Sequence, residues 1–181
     1  MSLLRQVPDL KGLIDKYGLK VYAETGCFQG DGLRTARELG LECYSCDINP
    51  ESCAFCADLG FIFNEDSCVF LRRIIGLGEF PPTLWFLDAH FPKMYGMEGE
   101  RWPLPNELRI LSGKKGIERD VIICDDMQAI QDPDNWARQA GQGHDWEAVD
   151  GTIAELTAPF ESTHLATLHA VSTGILIMVP K

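Results

Sequence analysis

Five short apolar runs, each ending in acidic or glycine-rich residues and separated from the next by a helix-like segment, constrain this chain more than any other feature. The runs are LKVYAETG (19–26), LECYSCD (41–47), FIFNED (61–66), TLWFLDAH (83–90) and DVIICDD (120–126). Rich in β-branched and aromatic residues and too short to be helices, they read as strands. Between them, DGLRTARELG, NPESCAFCADLG, SCVFLRRIIGLG and NELRILSGKKG have helical character. Gly40 and Gly60 close the first two where a left-handed helix cap favours glycine, and Pro50 stands near the start of the second, where proline is tolerated.

Strands alternating with helices at this spacing need crossover connections, which build a mostly parallel sheet covered on both faces. The unbroken apolar stretches LWFL and VIIC fit strands buried on both sides. Near the C-terminus THLATLHAV and GILIMVP are separated only by STG, and so short a link requires an antiparallel hairpin. The expected fold is α/β: a doubly wound, Rossmann-like, mostly parallel sheet of about seven strands with an antiparallel C-terminal β-hairpin, in three α/β/α layers. The 181 residues suit one domain, with a helix in 1–18 and an irregular insertion or lid at 127–150.

A net charge of −11 argues against nucleic acid as a partner, because phosphate binding depends on clustered Lys and Arg. Lys114, Lys115 and Arg119 are the one dense basic group, expected as a solvated turn. No apolar run reaches the roughly 18 residues of a membrane span, and the start MSLLRQVPDLKG does not resemble a signal peptide, so a cytoplasmic, soluble protein is expected. The seven cysteines are odd in number and sit in apolar contexts, which favours reduced, structural thiols, the Cys53-x-x-Cys56 pair included. His164 and His169 fall within the hairpin pattern and read as structural, while His144 lies in the insertion.

In open α/β sheets ligands bind at the carboxyl ends of the strands, near the point where strand order reverses. Those ends carry Glu24, Asp47, Asp66, Asp88 with His90, and Asp125 with Asp126. Any one of them reads equally well as a solvated acid or a helix cap, as Asp31 and Asn49 do, but a converging set needs a cation or hydrogen-bond donors. The turn ETGCFQGDG (24–32) follows the first strand, and Asp47 stands about 20 residues beyond it, where an acid accepts the two ribose hydroxyls of a nucleoside cofactor. Asp66 would accept the adenine amine, with Ser67 beside it as a helix cap. Asp88, Asp125 and Asp126 are hard oxygen donors and suggest Mg²⁺ or a similar divalent cation; adjacent aspartates in an extended segment point to different sides, which sets one of the pair behind the other.

The turn also matches that of short-chain dehydrogenases, yet those need a Y-x-x-x-K pair. Four residues beyond Tyr17, Tyr22, Tyr44 and Tyr95 stand Val21, Gly26, Ile48 and Gly99. A pyrophosphate at this turn would also face Glu24 and Asp31, which repel it. S-adenosylmethionine (SAM), cationic and free of phosphate, suits the turn better.

With ETGCFQGDG, CDINP, NEDS, FLDAH and ICDDM in this order, residues 19–181 resemble the class I SAM-dependent methyltransferases, and among them the metal-dependent small-molecule O-methyltransferases of the catechol and macrolide-sugar types. The resemblance implies that Glu24, Gly26 and Gly30 surround the methionine part, Asp47 the ribose and Asp66 the adenine. Thr25, Ile48, Ser67 and Asp88 complete the implied cofactor-binding set. It implies further that Asp88, Asp125 and Asp126 hold Mg²⁺ or another hard divalent cation. The catechol type has a lysine base shortly after its first metal aspartate; here His90 and Lys93 are the candidates, with His90 favoured because imidazole is matched to neutral pH.

The implied substrate is a small-molecule hydroxyl compound. Phe91, Tyr95, Trp102, Trp136 and Trp146 are candidates for an aromatic wall around it. The short N-terminal part leaves the acceptor pocket open or completed by a second subunit, as in a homodimer. A methyltransferase-like protein that binds cofactor or metal without turnover is the competing class.

Overall fold

The computed structural model describes residues 3–78, 80–90, 98–100, 102–132, 149, 151–170 and 173–181. All seven expected strands are present: β1 (Val21–Thr25), β2 (Glu42–Asp47), β3 (Phe61–Asn64), β4 (Thr83–Leu87), β5 (Val121–Cys124), β6 (His164–His169) and β7 (Ile175–Pro180). They form one sheet in the order β3-β2-β1-β4-β5-β7-β6. β1 to β5 run parallel, while β7 pairs antiparallel with both β5 and β6. The hairpin expected from STG is therefore present, but its last strand lies inside the sheet and its first forms the edge. β7 is the more apolar of the two: Ile175 through Met178 are buried, whereas Leu165, Ala166 and Thr167 are exposed.

Alternation along each strand builds the two faces. Tyr22, Leu84, Phe86, Val121, Ile123, Ile175 and Ile177 pack on one side, under α1 (Leu10–Tyr17), α2 (Asp31–Glu38) and α3 (Pro50–Cys56). Ala23, Trp85, Leu87, Ile122, Cys124, Leu176 and Met178 pack on the other, under α4 (Ser67–Gly76), α5 (Leu104–Ser112) and α7 (Ile153–Thr157). A short α6 (Gln128–Gln131) occupies the start of the expected insertion, most of which (133–148 and 150) lies outside the described residues. Fully burying a side chain such as Phe70, Leu71, Leu84 or Ile123 contributes about 1.5–3 kcal/mol, which is the main term holding the three layers together.

Local chemistry sets the helix starts. Asn49 caps α3 and Thr152 forms a capping box with Glu155 on α7. Asp66, rather than Ser67, caps α4, and Asp31 is not a cap: it opens α2 after Gly30 and pairs with Arg34. The Lys114 side chain departs from expectation more sharply. It is buried and pairs at 2.9 Å with the buried Asp120, which also accepts hydrogen bonds from Trp85 Nε1 (2.8 Å) and Thr83 N (3.1 Å). The Asp120 carbonyl in turn meets His164 Nε2, so His164 is structural as expected. All seven cysteines are unpaired thiols. Among the described residues no helix is long and apolar enough to cross a membrane.

Candidate functional site

Strand order reverses between β1 and β4, which grow outward in opposite directions, so the crevice above their carboxyl ends is where a ligand is expected. The turn after β1 borders it. Gly26 and Gly30 both have left-handed backbones (φ +83° and +73°), and each is pressed by a neighbour. A Cβ on Gly26 would stand 3.0 Å from the Asp88 carbonyl oxygen, and one on Gly30 would stand 2.6 Å from Leu59 and 2.9 Å from Cys56 Sγ. The Cys46 carbonyl accepts from Gly26 N and Cys27 N, which fastens the turn to β2.

Asp47, at the end of β2, completes this fastening. Its Oδ2 accepts from Phe28 N (3.0 Å) and its Oδ1 from Asn49 N (2.8 Å), while Asn64 Nδ2 binds the carbonyls of Asp47 and Ile48. The carboxylate remains half-buried at the rim. Asp66 Oδ1 accepts from Cys68 N and Val69 N at the head of α4.

Glu24 is turned away from the open side. Alternation places Tyr22 and Glu24 on the α2 face, where the Glu24 carboxyl accepts from Tyr22 Oη (2.5 Å) and Ser45 Oγ (3.2 Å). Gly32 lies directly on this pair, for a Cβ there would come within 2.3 Å of Glu24 Oε2. Burial lifts the Glu24 pKa from 4.5 to about 8, although the two hydroxyl donors pull it down. Thr25, on the opposite face, accepts through Oγ1 from Asp88 N (3.2 Å) and so ties β1 to the end of β4.

Across the crevice the structure brings Asp88, His90 and Asp126 together, with one donor atom of each within 4.8 Å of the others. His90 Nε2 contacts Asp126 Oδ2, His90 Nδ1 lies 3.8 Å from Asp88 Oδ1, and the Trp102 ring stands 5.6 Å from the imidazole. Asp125 is not a member of this group. Asp126 has a left-handed backbone (φ 56°), and that kink at the end of β5, rather than strand alternation, separates the two carboxyls. Asp125 turns inward, where its Oδ1 accepts from Thr173 Oγ1 (2.8 Å) and Asp126 N (2.6 Å), and its buried Oδ2 has no hydrogen bond among the described residues. Lys93, Phe91, Tyr95, Trp136, His144 and Trp146 lie outside the described residues.

One acid escaped the sequence reading. Glu107 on α5 is fully buried, and among the described residues neither of its carboxyl oxygens makes a hydrogen bond of good geometry. It faces the hydroxyls of Ser67 and Thr25 and feels the charge of His90, all of which offset part of its burial, yet its pKa still rises to about 7. The signal was present: Leu104, Leu108 and Leu111 form the apolar stripe of α5, and Glu107 occupies the stripe at its second position. Asp125 rises to about 6 and Asp88 well above its ordinary range, in both cases through burial first and neighbouring aspartates next. Four carboxyls thus crowd around one imidazole in a poorly solvated space, an arrangement that favours a cation.

No family model matches this sequence, and no curated protein matches it either. Solved structures do. An SAH-bound methyltransferase of Podospora anserina is 16% identical, with a TM-score of 0.62 over 100% of this chain and 80% of that one. The O-methyltransferase TomG of Streptomyces achromogenes, involved in tomaymycin synthesis and in complex with SAM, is 15% identical, with a TM-score of 0.59 over 100% and 82%. SAH-bound magnesium protoporphyrin IX methyltransferase of Synechocystis is 11% identical, with a TM-score of 0.58 over 98% and 82%. At such identities the likeness shows the fold: this chain has the sheet and layer arrangement of SAM-dependent methyltransferases, O-methyltransferases among them.

Proposed function

We propose that this chain is a SAM-dependent methyltransferase that transfers the methyl group to a hydroxyl of a small molecule with the help of a divalent cation. One observation carries the reading. In a methyltransferase-type sheet, the left-handed Gly26–Gly30 turn with Asp47 bound to it faces the Asp88, His90 and Asp126 cluster across the switch point. The turn suits a cofactor without phosphate, since the Asp31 carboxylate stands beside it at the start of α2.

In this reading Thr25, Gly26 and Gly30 line the methionine part of SAM, with Glu24 supporting the turn from beneath. Asp47 accepts the ribose hydroxyls beside the Ile48 backbone, and Asp66 and Ser67 border the adenine. Asp88 and Asp126 hold the cation and Asp125 backs them; the buried Asp125 Oδ2, without a hydrogen bond among the described residues, supports a place for Mg²⁺ or a related ion nearby. Such an ion, when bound, lowers the pKa of a hydroxyl it touches. The proton released by the acceptor passes to a group on the segment after Asp88, His90 or Lys93. The remaining task of the chain is alignment of acceptor oxygen and donor methyl, which is worth about 7–11 kcal/mol when well oriented.

The test is calorimetry with S-adenosylhomocysteine, with and without Mg²⁺, followed by turnover of SAM with a panel of polyols and catechols. Binding plus metal-dependent turnover is expected. Turnover that survives both EDTA and Asp126→Ala would remove the metal from the scheme, and binding without turnover across the panel would favour a non-catalytic cofactor-binding protein.

A further inference from the structure

The ligand chemistry of the rim cluster differs from a set of oxygen donors alone. Its third member is an imidazole: His90, 15% exposed in its side chain, stands between Asp88 and Asp126, and its nitrogens face both carboxylates. Metal–ligand bonds of about 2.1 Å place two donors around one ion roughly 3 to 4.2 Å apart. The three donor atoms here lie within 4.8 Å of one another, with His90 Nε2 and Asp126 Oδ2 in direct contact, so a small rearrangement that opens this contact would place all three around one ion.

A cluster of this kind is often only a solvated acidic patch, but two further groups separate it from that case. Among the described residues, Asp125 is 1% exposed with no hydrogen bond to its Oδ2, and Glu107 is 0% exposed with only the Ser67 and Thr25 hydroxyls beside its carboxyl. Both bear electrostatically on Asp88 and His90. A dication at the centre of the three rim donors would also lie near the two acids behind them.

Carboxylate and water ligands alone suit Mg²⁺, which binds imidazole poorly; an imidazole in the set favours Mn²⁺, Fe²⁺, Co²⁺ or Zn²⁺. We propose that Asp88, His90 and Asp126 form a mixed carboxylate–imidazole site that takes a first-row transition-metal dication in preference to Mg²⁺. The inference rests on the metal part of the function proposed above and names a different class of ion for it. It also assigns His90 to the metal, which leaves Lys93 as the candidate base.

Calorimetric titration of the purified full chain with Co²⁺, Mn²⁺ and Mg²⁺ tests it, on wild type, His90→Asn and Asp126→Asn, with near-UV circular dichroism checking that each variant is folded. The wild type is expected to bind Co²⁺ at least about tenfold more tightly than Mg²⁺. His90→Asn should abolish most of that preference while Mg²⁺ affinity changes little, and Asp126→Asn should weaken both ions. The paramagnetically shifted imidazole N–H of the Co²⁺ form reads the same bond in the wild type, so a misfolded variant does not remove the test. Equal affinity for Co²⁺ and Mg²⁺, with Asp126→Asn weakening both and His90→Asn neither, overturns the preference but leaves the metal reading intact. No binding of any dication overturns both.

Discussion

Replacing Glu24 with Gln should flatten the dependence of stability on pH, and the structure fixes the sign. The carboxyl is buried among Tyr22, Ser45 and the first turn of α2, and its pKa is about 8 in place of 4.5. Below pH 4.5 the group is protonated in folded and unfolded chains alike and contributes no pH dependence. Between 4.5 and 8 the unfolded chain releases this proton while the folded chain keeps it, so stability falls as pH rises. Above 8 the loss is complete. At about 1.4 kcal/mol per pH unit the ceiling of the effect is roughly 5 kcal/mol, a large share of the ~5–15 kcal/mol typical of a domain. Gln fills the same space without titrating; at pH 5 the variant should differ from wild type only by rearranged hydrogen bonds, about 1 kcal/mol each. Urea denaturation at pH 5, 6, 7 and 8, in EDTA and without cofactor, reads the difference directly. Midpoints of wild type and Glu24→Gln that converge at pH 5 and separate in favour of the variant toward pH 8 are expected; parallel curves would refute the argument that a buried neutral carboxyl lies under the turn.

Three further changes probe the rest of the frame. Gly32→Ala drives a methyl group onto Glu24 Oε2 and Tyr22 Oη and should cost about 1–3 kcal/mol in thermal or urea denaturation, with much of the loss recovered in a Glu24→Ala background. Lys114→Ala leaves Asp120 as an uncompensated buried charge and should destabilise the chain by about 3–5 kcal/mol, less when combined with Asp120→Asn, with no direct effect on S-adenosylhomocysteine affinity in the folded fraction. Asp47→Ala removes the acceptor of Phe28 N and the proposed ribose contact. Calorimetry should show S-adenosylhomocysteine affinity reduced by at least about tenfold, the scale of a hydrogen bond to a charged group.

Much of the rim was legible because strand ends are locally encoded. Apolar runs that stop at Glu24, Asp47, Asp88 and Asp125 declare where the chain leaves the sheet, and the order of elements declares which edge those ends share. Glu107 was hidden for the opposite reason: its place in the stripe of Leu104, Leu108 and Leu111 pointed inward, but a charged residue reads as solvent-facing until a neighbour explains its burial. Lys114 was misread in the same way, since its partner Asp120 is close in sequence but joined only when the turn folds back on β5. The split between Asp125 and Asp126 came from one left-handed residue that strand alternation does not foresee.

By itself the sequence determined the seven strands, their order and the antiparallel close, because periodicity, caps and the three-residue STG link act through local geometry and chain reach. Only the tertiary structure decided that β7 lies inside β6, that Glu24 faces α2 while Thr25 faces Asp88, and that His90 joins Asp88 and Asp126 in place of Asp125. Each of these is a contact between residues distant along the chain, settled by which apolar surface is worth burying and which buried charge finds a partner.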